Sequence, residues 1–214
     1  ITKQFPMPDM TWDFKILNGK DHMTTFIPTF DNGYRALSSR MQLSGEALLD
    51  LANDTTVGIV KQIELFHARS SRLTGDQVAL SARQFDDYGY DLFQFDKYDA
   101  AHEVYEHAAE LLEADAPSDK NANLKISITE GIERTTMYKL SDEAQHLAKE
   151  NRYKEAASLY DQAFSVDLIR VTHPIRILSI PVFAQAGELD HAFEQLHLLA
   201  YQLKMGGNEQ FVHE

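Results

Sequence analysis

Apolar and polar positions alternate near the start of the chain and then change to helical spacing. In TWDFKIL (residues 11–17), Trp12, Phe14 and Ile16 alternate with Asp13 and Lys15, which predicts a β-strand. Asn18 and Gly19 follow it and indicate a turn. Pro28 suits the first turn of a helix, and the apolar spacing that follows predicts a helix over residues 28–40. The first part of the chain is therefore expected to form a strand, a polar loop and a helix.

Helical spacing dominates the rest of the sequence. Ser44 is placed to cap a short helix, and Asp54 or Thr55 to cap the next one. We therefore predict a mainly α fold, with residues 43–80 forming connecting helices and residues 81–214 forming a helical array. Residues 1–42, with the strand and the polar loop, are expected to be a separate segment.

The helical region contains a repeated pattern of small and aromatic residues. After a small residue, Tyr, Ala, Tyr and Ala recur at offsets of 9, 12, 16 and 19 in two copies, and a weaker third copy keeps only the first Ala of this set. The three copies are Gly89, Tyr98, Ala101, Tyr105 and Ala108; Ala144, Tyr153, Ala156, Tyr160 and Ala163; and Ile180, Leu189, Ala192, Leu196 and Leu199.

These positions resemble the tetratricopeptide repeat, in which each unit is a pair of helices. Small residues at the crossing let the two helices approach closely. Ala101 and Ala156 are 55 residues apart, whereas the repeat is about 34 residues long, so about 21 residues are additional. We expect these to form a loop at residues 115–122 and a lengthened helix over residues 123–150. The predicted array is therefore irregular.

The repeat resemblance implies binding of a protein or peptide, or self-association. Positions 86 and 141 carry Asp and Ser, which do not fit the Lys and Asn that clamp a terminal carboxylate in the family, so that binding mode is not predicted. An array that packs on itself or dimerises remains the alternative. The groove positions implied on the first helices of the pairs are Asp86, Tyr90, Phe93, Tyr138, Ser141 and Gln145.

Charge and composition exclude several classes of function. The formal net charge of −13 opposes binding to nucleic acid or to anionic membranes. The chain has no Cys, which excludes disulfides, thiol catalysis and zinc–thiolate sites. No apolar run approaches the roughly 20 residues of a membrane span. We expect a protein that binds no nucleic acid and has no membrane span.

Motif searches predict neither a metal nor a cofactor. His102 and His107 in HEVYEH are five residues apart, whereas a zinc helix places two His at i and i+4. His191 and His197 are six apart, which again turns the rings away from each other. The sequence has no G-x-x-x-x-G-K-[ST], G-x-G-x-x-G or G-x-S-x-G, so phosphate loops and a nucleophile elbow are not predicted.

The segment WDFKILNGKDHMTTFIPTFDNGYRAL resembles the C-terminal end of the α/β-hydrolase fold. More narrowly, it is similar to the esterase group that includes siderophore and acylglutathione esterases. In that group an acidic or amide residue precedes the catalytic His, small hydroxyl residues follow, and a helix leads to a pattern like GYRAL. The matching positions are Asp21, His22, Thr24, Thr25 and Gly33–Leu37. The resemblance implies that His22 is the base of a catalytic triad.

The order of triad residues in that family is Ser, then Asp or Glu, then His. Because no G-x-S-x-G occurs here, we expect this chain to be the C-terminal portion of a serine esterase, inactive by itself, with helical repeats for protein interaction or oligomerisation. The alternatives are a non-enzymatic repeat module with residues 1–42 as an arm, or a degenerate hydrolase that supports the repeats. A lone strand leaves backbone groups unpaired, so residues 1–26 are expected to be irregular, packed on the helices or paired with another copy.

Overall fold

The computed structural model describes residues 43–74, 79–114, 121–167 and 172–209 of the 214-residue chain. The chain divides into two compact units, Ile1–Gln42 and Leu43–Glu214. The predicted strand, the His22 loop and the helix at 28–40 fall in the first unit, outside the described residues. The second unit is described below.

The described residues of the second unit form α-helices joined by short connections. No strand occurs within the described ranges, so the prediction of a mainly α fold is confirmed. The helices are α1 (Gly45–Asn53), α2 (Ile59–Thr74), α3 (Ala82–Gln94), α4 (Tyr98–Ala114), α5 (Ala122–Lys149), α6 (Tyr153–Val166), α7 (His173–Ala186) and α8 (Leu189–Glu209).

Local capping explains where several helices begin. Ser44 caps α1 as predicted, since the backbone N–H of Ala47 donates to its hydroxyl at 3.2 Å. Ser81 and Gln84 form a reciprocal capping box at the start of α3. The predicted cap of α2 is wrong, because α2 begins at Ile59. Asp54 instead ends α1, and its carboxylate accepts hydrogen bonds from Thr56.

Three turns of the same type connect α3 to α4, α5 to α6, and α7 to α8. In each turn one residue has a left-handed backbone: Asp96 (φ 57°), Asn151 (φ 61°) and Gly187 (φ 87°). The next residue donates its N–H to a carbonyl five positions back, at 3.0, 2.9 and 2.9 Å. This is the Schellman arrangement, which ends a helix and reverses the chain. Such short connections make the two helices of each pair antiparallel neighbours.

The described residues of the unit form two hydrophobic cores, and α5 belongs to both. Its first half contributes Leu124 and Ile128 to a core shared with α1 to α4. Its second half contributes Met137 and Ala144 to a core shared with α6, α7 and α8. The additional residues between the first two repeat copies therefore extend one helix, close to the predicted span of residues 123–150.

The ring of Tyr105 on α4 fills the space between α3 and α5. It is 4% exposed, and a Cβ added at Gly89 on α3 would lie 2.9 Å from the ring. A Cβ added at Gly131 on α5 would lie 2.5 Å from the same ring. Real Cβ atoms do not approach a ring this closely, so both positions need glycine. This packing holds α3 and α5 close together and gives the groove described below its width.

The third repeat copy packs differently from the other two. Ala101, Ala156 and Ala192 are all buried, at 0%, 0% and 7% exposure. In the aromatic position, however, Tyr160 is fully buried whereas Leu196 of the third copy is 49% exposed. The last helix pair therefore turns an apolar residue to the surface at a position where the first two pairs bury tyrosine.

Candidate functional site

The helices α3 and α5 border two adjoining concavities that share Glu130 and Arg134. The first, of about 530 Å³, is the acidic concavity, and the second, of about 320 Å³, is the aromatic concavity. Together they are called the α3–α5 groove. The acidic concavity is lined by Arg83, Asp86, Asp87, Tyr90, Asp91, Tyr105, Ser127, Glu130, Gly131 and Arg134. The aromatic concavity is lined by Phe93, Glu130, Glu133, Arg134, Met137, Tyr138 and Thr172.

Acidic side chains outnumber basic ones in this groove. Its lining contains five carboxylates and two guanidinium groups, which gives a formal charge of −3. Asp87 and Asp91 are four residues apart on α3, so they occupy one face of that helix, and like charges at this spacing repel each other. The groove is therefore a region of negative potential that favours cationic groups.

Asp86 forms the floor of the acidic concavity. The residue is 5% exposed, and its two carboxylate oxygens lie 3.0 and 3.1 Å from the Ser127 hydroxyl, which donates to them. Burial raises the pKa of Asp86, and the Ser127 hydrogen bond partly opposes this rise. Burial, followed by the charge of Asp86, raises the pKa of Tyr105 to about 12. The phenol of Tyr105 therefore stays neutral at physiological pH and can donate a hydrogen bond.

Aromatic rings give the groove its apolar surface. Phe93 and Tyr138 line the aromatic concavity and meet edge to face with ring centroids 5.1 Å apart. The ring of Tyr98, which is not part of the groove lining, lies 4.8 Å from that of Tyr138. The Arg134 guanidinium lies 5.3 Å from the Phe93 centroid, within cation–π range. Tyr90 is 52% exposed. The groove can therefore bind the side-chain stem of a ligand as well as its charge.

Four of the six groove positions predicted from the sequence line the groove: Asp86, Tyr90, Phe93 and Tyr138. Ser141 is 3% exposed and lies in the helix packing. The amide of Gln145 donates to the Tyr160 hydroxyl at 2.5 Å and to the Leu178 carbonyl at 3.5 Å, which places it against α6 and α7.

Sequence reasoning missed several charged residues of the groove. Arg83, Asp87 and Asp91 share the α3 face with Asp86 and Tyr90, so spacings of three and four residues could have identified them. Glu130 and Arg134 had no comparable signal. They belong to the additional turns of α5, which the repeat pattern does not cover.

A third concavity, of about 720 Å³, lies between the α1–α2 connection, the α3–α4 turn, α4 and the second half of α5. Its charged residues have both signs, and Lys139 pairs with Asp99 at 3.1 Å. The Tyr98 hydroxyl donates to Asp96 at 2.7 Å. Burial, and then Asp96, holds the pKa of Tyr98 well above its usual range.

The histidines considered from the sequence lie in separate surroundings. His102 Nδ1 is 3.0 Å from the Thr135 hydroxyl on α5, whereas the ring of His107 packs edge to face on Phe85 of α3. Within the described ranges, one group could hold a metal by distance, with ligand atoms within 4.8 Å of one another: Asp161, Glu188 and His191. His191 Nδ1 lies 3.3 Å from Glu188 at a half-exposed surface, which is the geometry of an ordinary ion pair, so we assign no metal.

Comparison with known proteins adds no assignment. No protein-family model matches the chain, and neither a curated protein nor a solved structure matches it. None of the helices in the described ranges combines the length and apolar character that a membrane crossing requires. The function is therefore inferred from the residues and geometry of the groove.

Proposed function

We propose that residues 81–214 are a tetratricopeptide-type interaction module whose α3–α5 groove binds a basic segment of a partner protein. The observation that carries the proposal is the groove lining, in which five carboxylates and two guanidinium groups surround aromatic rings. Side chains of Lys and Arg match this surface, because they combine a positive charge with an apolar stem.

The repeated turns support the repeat type. The left-handed residues Asp96, Asn151 and Gly187 are separated by 55 and 36 residues. These are the intervals that separate Ala101, Ala156 and Ala192. A sequence pattern and a backbone pattern with the same irregular spacing favour three copies of one helix-pair unit.

The charge arrangement supports a cationic partner in particular. Asp87 and Asp91 are exposed on one face of α3, and burial followed by the charge of Asp87 raises the pKa of Asp91. A Lys or Arg of a bound segment would relieve this repulsion, and its guanidinium or ammonium would lie near the Tyr90 ring. The third neighbouring carboxylate, Asp86, can accept a hydrogen bond from a group that enters more deeply.

Selection from a phage-displayed library of random peptides tests the proposal. We expect enrichment of sequences with Lys or Arg next to an aromatic or aliphatic residue. Binding of a selected peptide, measured by calorimetry, should weaken with salt. In Asp87→Asn/Asp91→Asn the affinity should fall about tenfold, because two partly exposed charge contacts contribute about 1.4 kcal/mol together.

Asp50→Asn is the matched control, since Asp50 is an exposed carboxylate on α1 that lines neither concavity of the groove. It should leave the affinity unchanged. Selection of acidic peptides, or equal weakening by the control, would reject the groove as a site for basic segments.

A second proposal concerns residues 1–42, and the sequence around His22 favours it. If this segment belongs to an esterase of the α/β-hydrolase type, His22 takes the proton of a serine hydroxyl and returns it to the leaving alcohol. Since these 214 residues contain no G-x-S-x-G, that serine must be supplied from outside them. The 214-residue chain should then give no His22-dependent hydrolysis of p-nitrophenyl esters. Turnover that His22→Ala abolishes would contradict this.

A gene-level observation separates the two proposals. A G-x-S-x-G motif encoded in frame upstream, at the distance typical of the fold, would support an esterase with an attached interaction module. An upstream sequence without that motif would support an interaction module that is not part of an esterase. Neither result changes the expected peptide selection by the α3–α5 groove.

A further inference from the structure

The last helix, α8, has one apolar face in the core and a second one at the surface. Ala192 and Leu199 are buried at 7% and 8% exposure. On the other face, four large residues are between 49% and 67% exposed. With Ala200, which is also exposed, they form the α8 stripe: Leu189, Phe193, Leu196, Ala200 and Leu203.

A buried arginine fixes the rotation of α8 about its own axis. Arg176 on α7 is 2% exposed, and its guanidinium donates hydrogen bonds to the side-chain oxygens of Gln195 and, at 3.1 Å, Gln202. It also lies 5.7 Å from the centroid of the Phe164 ring. Turning the α8 stripe inward would break these hydrogen bonds to a buried charge, which is strongly unfavourable. The stripe is therefore held outward by the fold.

The α8 stripe has the spacing of a coiled-coil seam. Its members follow one another at intervals of four, three, four and three residues, which is a repeat of two positions per heptad. The five residues extend over four turns, about 21 Å at the rise of an α-helix. Single exposed apolar residues need no explanation, but a continuous seam of this length on a soluble surface marks an interaction site.

The charges beside the seam identify the occupant and its direction. Asp190 directly follows Leu189 of the seam, and Lys204 directly follows Leu203. The two charged residues are therefore at equivalent heptad positions, two heptads apart, and both are exposed. They lie at opposite ends of the stripe, with His197 midway between them. In an antiparallel pair of identical helices, Asp190 of each copy meets Lys204 of the other. In a parallel pair these two positions would not meet, and Lys204 would instead face the position of Leu199 on the other copy, so neither charge would gain a partner.

We propose that this chain forms a dimer with twofold symmetry in which two α8 stripes pack antiparallel. Each copy contributes the same surface, as a twofold interface requires. Leu196 lies near the middle of the seam and Phe193 beside it, and the Asp190–Lys204 pairs close both ends. The dimer leaves the α3–α5 groove out of the interface, so the two proposals fail independently.

Sedimentation analysis of the 214-residue chain over the micromolar range tests the proposal. We expect twice the monomer mass for the unaltered protein and the monomer mass for Phe193→Glu. Tyr201→Glu is the matched control, because Tyr201 is 58% exposed on the same helix but lies off the α8 stripe. It should remain dimeric, and far-ultraviolet circular dichroism of both variants should match that of the unaltered protein.

Charge reversal tests the antiparallel direction. Asp190→Lys and Lys204→Asp should each weaken the dimer, and the double reversal should restore it. A monomer for the unaltered protein at all these concentrations would overturn the proposal, as would equal dissociation by Tyr201→Glu. A dimer that Phe193→Glu abolishes but that the double reversal fails to restore would overturn the antiparallel arrangement.

Discussion

Gly131→Ala tests the packing that holds α3, α4 and α5 together. The new methyl carbon would lie 2.5 Å from two carbons of the Tyr105 ring and 2.7 Å from a third. The ring has little room to withdraw, because it is 4% exposed and also packs on Gly89, where an added Cβ would lie 2.9 Å from it. The substitution therefore forces a shift of a helix or of a buried ring.

Two effects of opposite sign compete in this variant. Replacing glycine by alanine inside a helix favours folding by about 1 kcal/mol. Overpacking a tight core opposes it by about 1–3 kcal/mol. Because Tyr105 is confined, we expect the upper end of that range. The net result is a loss of about 2 kcal/mol in the free energy of unfolding, or about 4–8 °C in Tm for a protein of this size.

Urea unfolding, monitored by circular dichroism, measures the loss as a lower midpoint with the same m-value in both proteins. The decisive control repeats Gly131→Ala in a Tyr105→Leu background, where the ring is gone. There the helix-propensity effect should act alone, so the same substitution should be neutral or stabilising by up to about 1 kcal/mol. If Gly131→Ala leaves the original protein equally or more stable, or has the same effect in both backgrounds, the proposed confinement of Tyr105 is wrong.

Three further substitutions have definite expected results. Arg176→Ala should lower the unfolding free energy by about 2–4 kcal/mol, since it removes the guanidinium that bonds the buried amide of Gln195 and the half-buried amide of Gln202. A loss below about 1 kcal/mol in urea unfolding would contradict the importance of these bonds. Asp86→Asn should raise stability at neutral pH. Burial raises the pKa of Asp86, so the folded state binds its proton more tightly than the unfolded state, and the ionised carboxylate destabilises the fold above the folded-state pKa. The stability difference between the variant and the unaltered protein should shrink as pH falls through that pKa, and a difference that grows in acid would refute this. Gly187→Ala should lose about 1 kcal/mol through its left-handed backbone alone, because no atom lies within 4 Å of the added methyl, whereas Gly187→Asn should lose less in the same melts.

The helical part of the fold was predictable because periodicity depends on neighbours along the chain. The spacing of apolar residues and the capping hydroxyl of Ser44 act within one or two turns, so they can be read from sequence. The same applies to the repeated small and aromatic positions and to the faces of α3 that carry Asp86, Tyr90 and Phe93. The cap expected for α2 was wrong because Asp54 could either begin the next helix or end α1, and the sequence does not show which of the two is more stable.

Only the tertiary structure decided which faces meet. Gly131 reads as an ordinary weak point in a helix until the Tyr105 ring is seen against it. By residue type alone, Arg176 would be taken for a surface charge. It is buried in the structure, because the turn between α7 and α8 brings Gln195 and Gln202 to its guanidinium. Leu196 reads as a core residue of the third repeat, yet that same arginine network turns it outward into the α8 stripe. Periodicity states that a helix has an apolar face, but burial is a property of pairs of elements and depends on what the chain brings to that face.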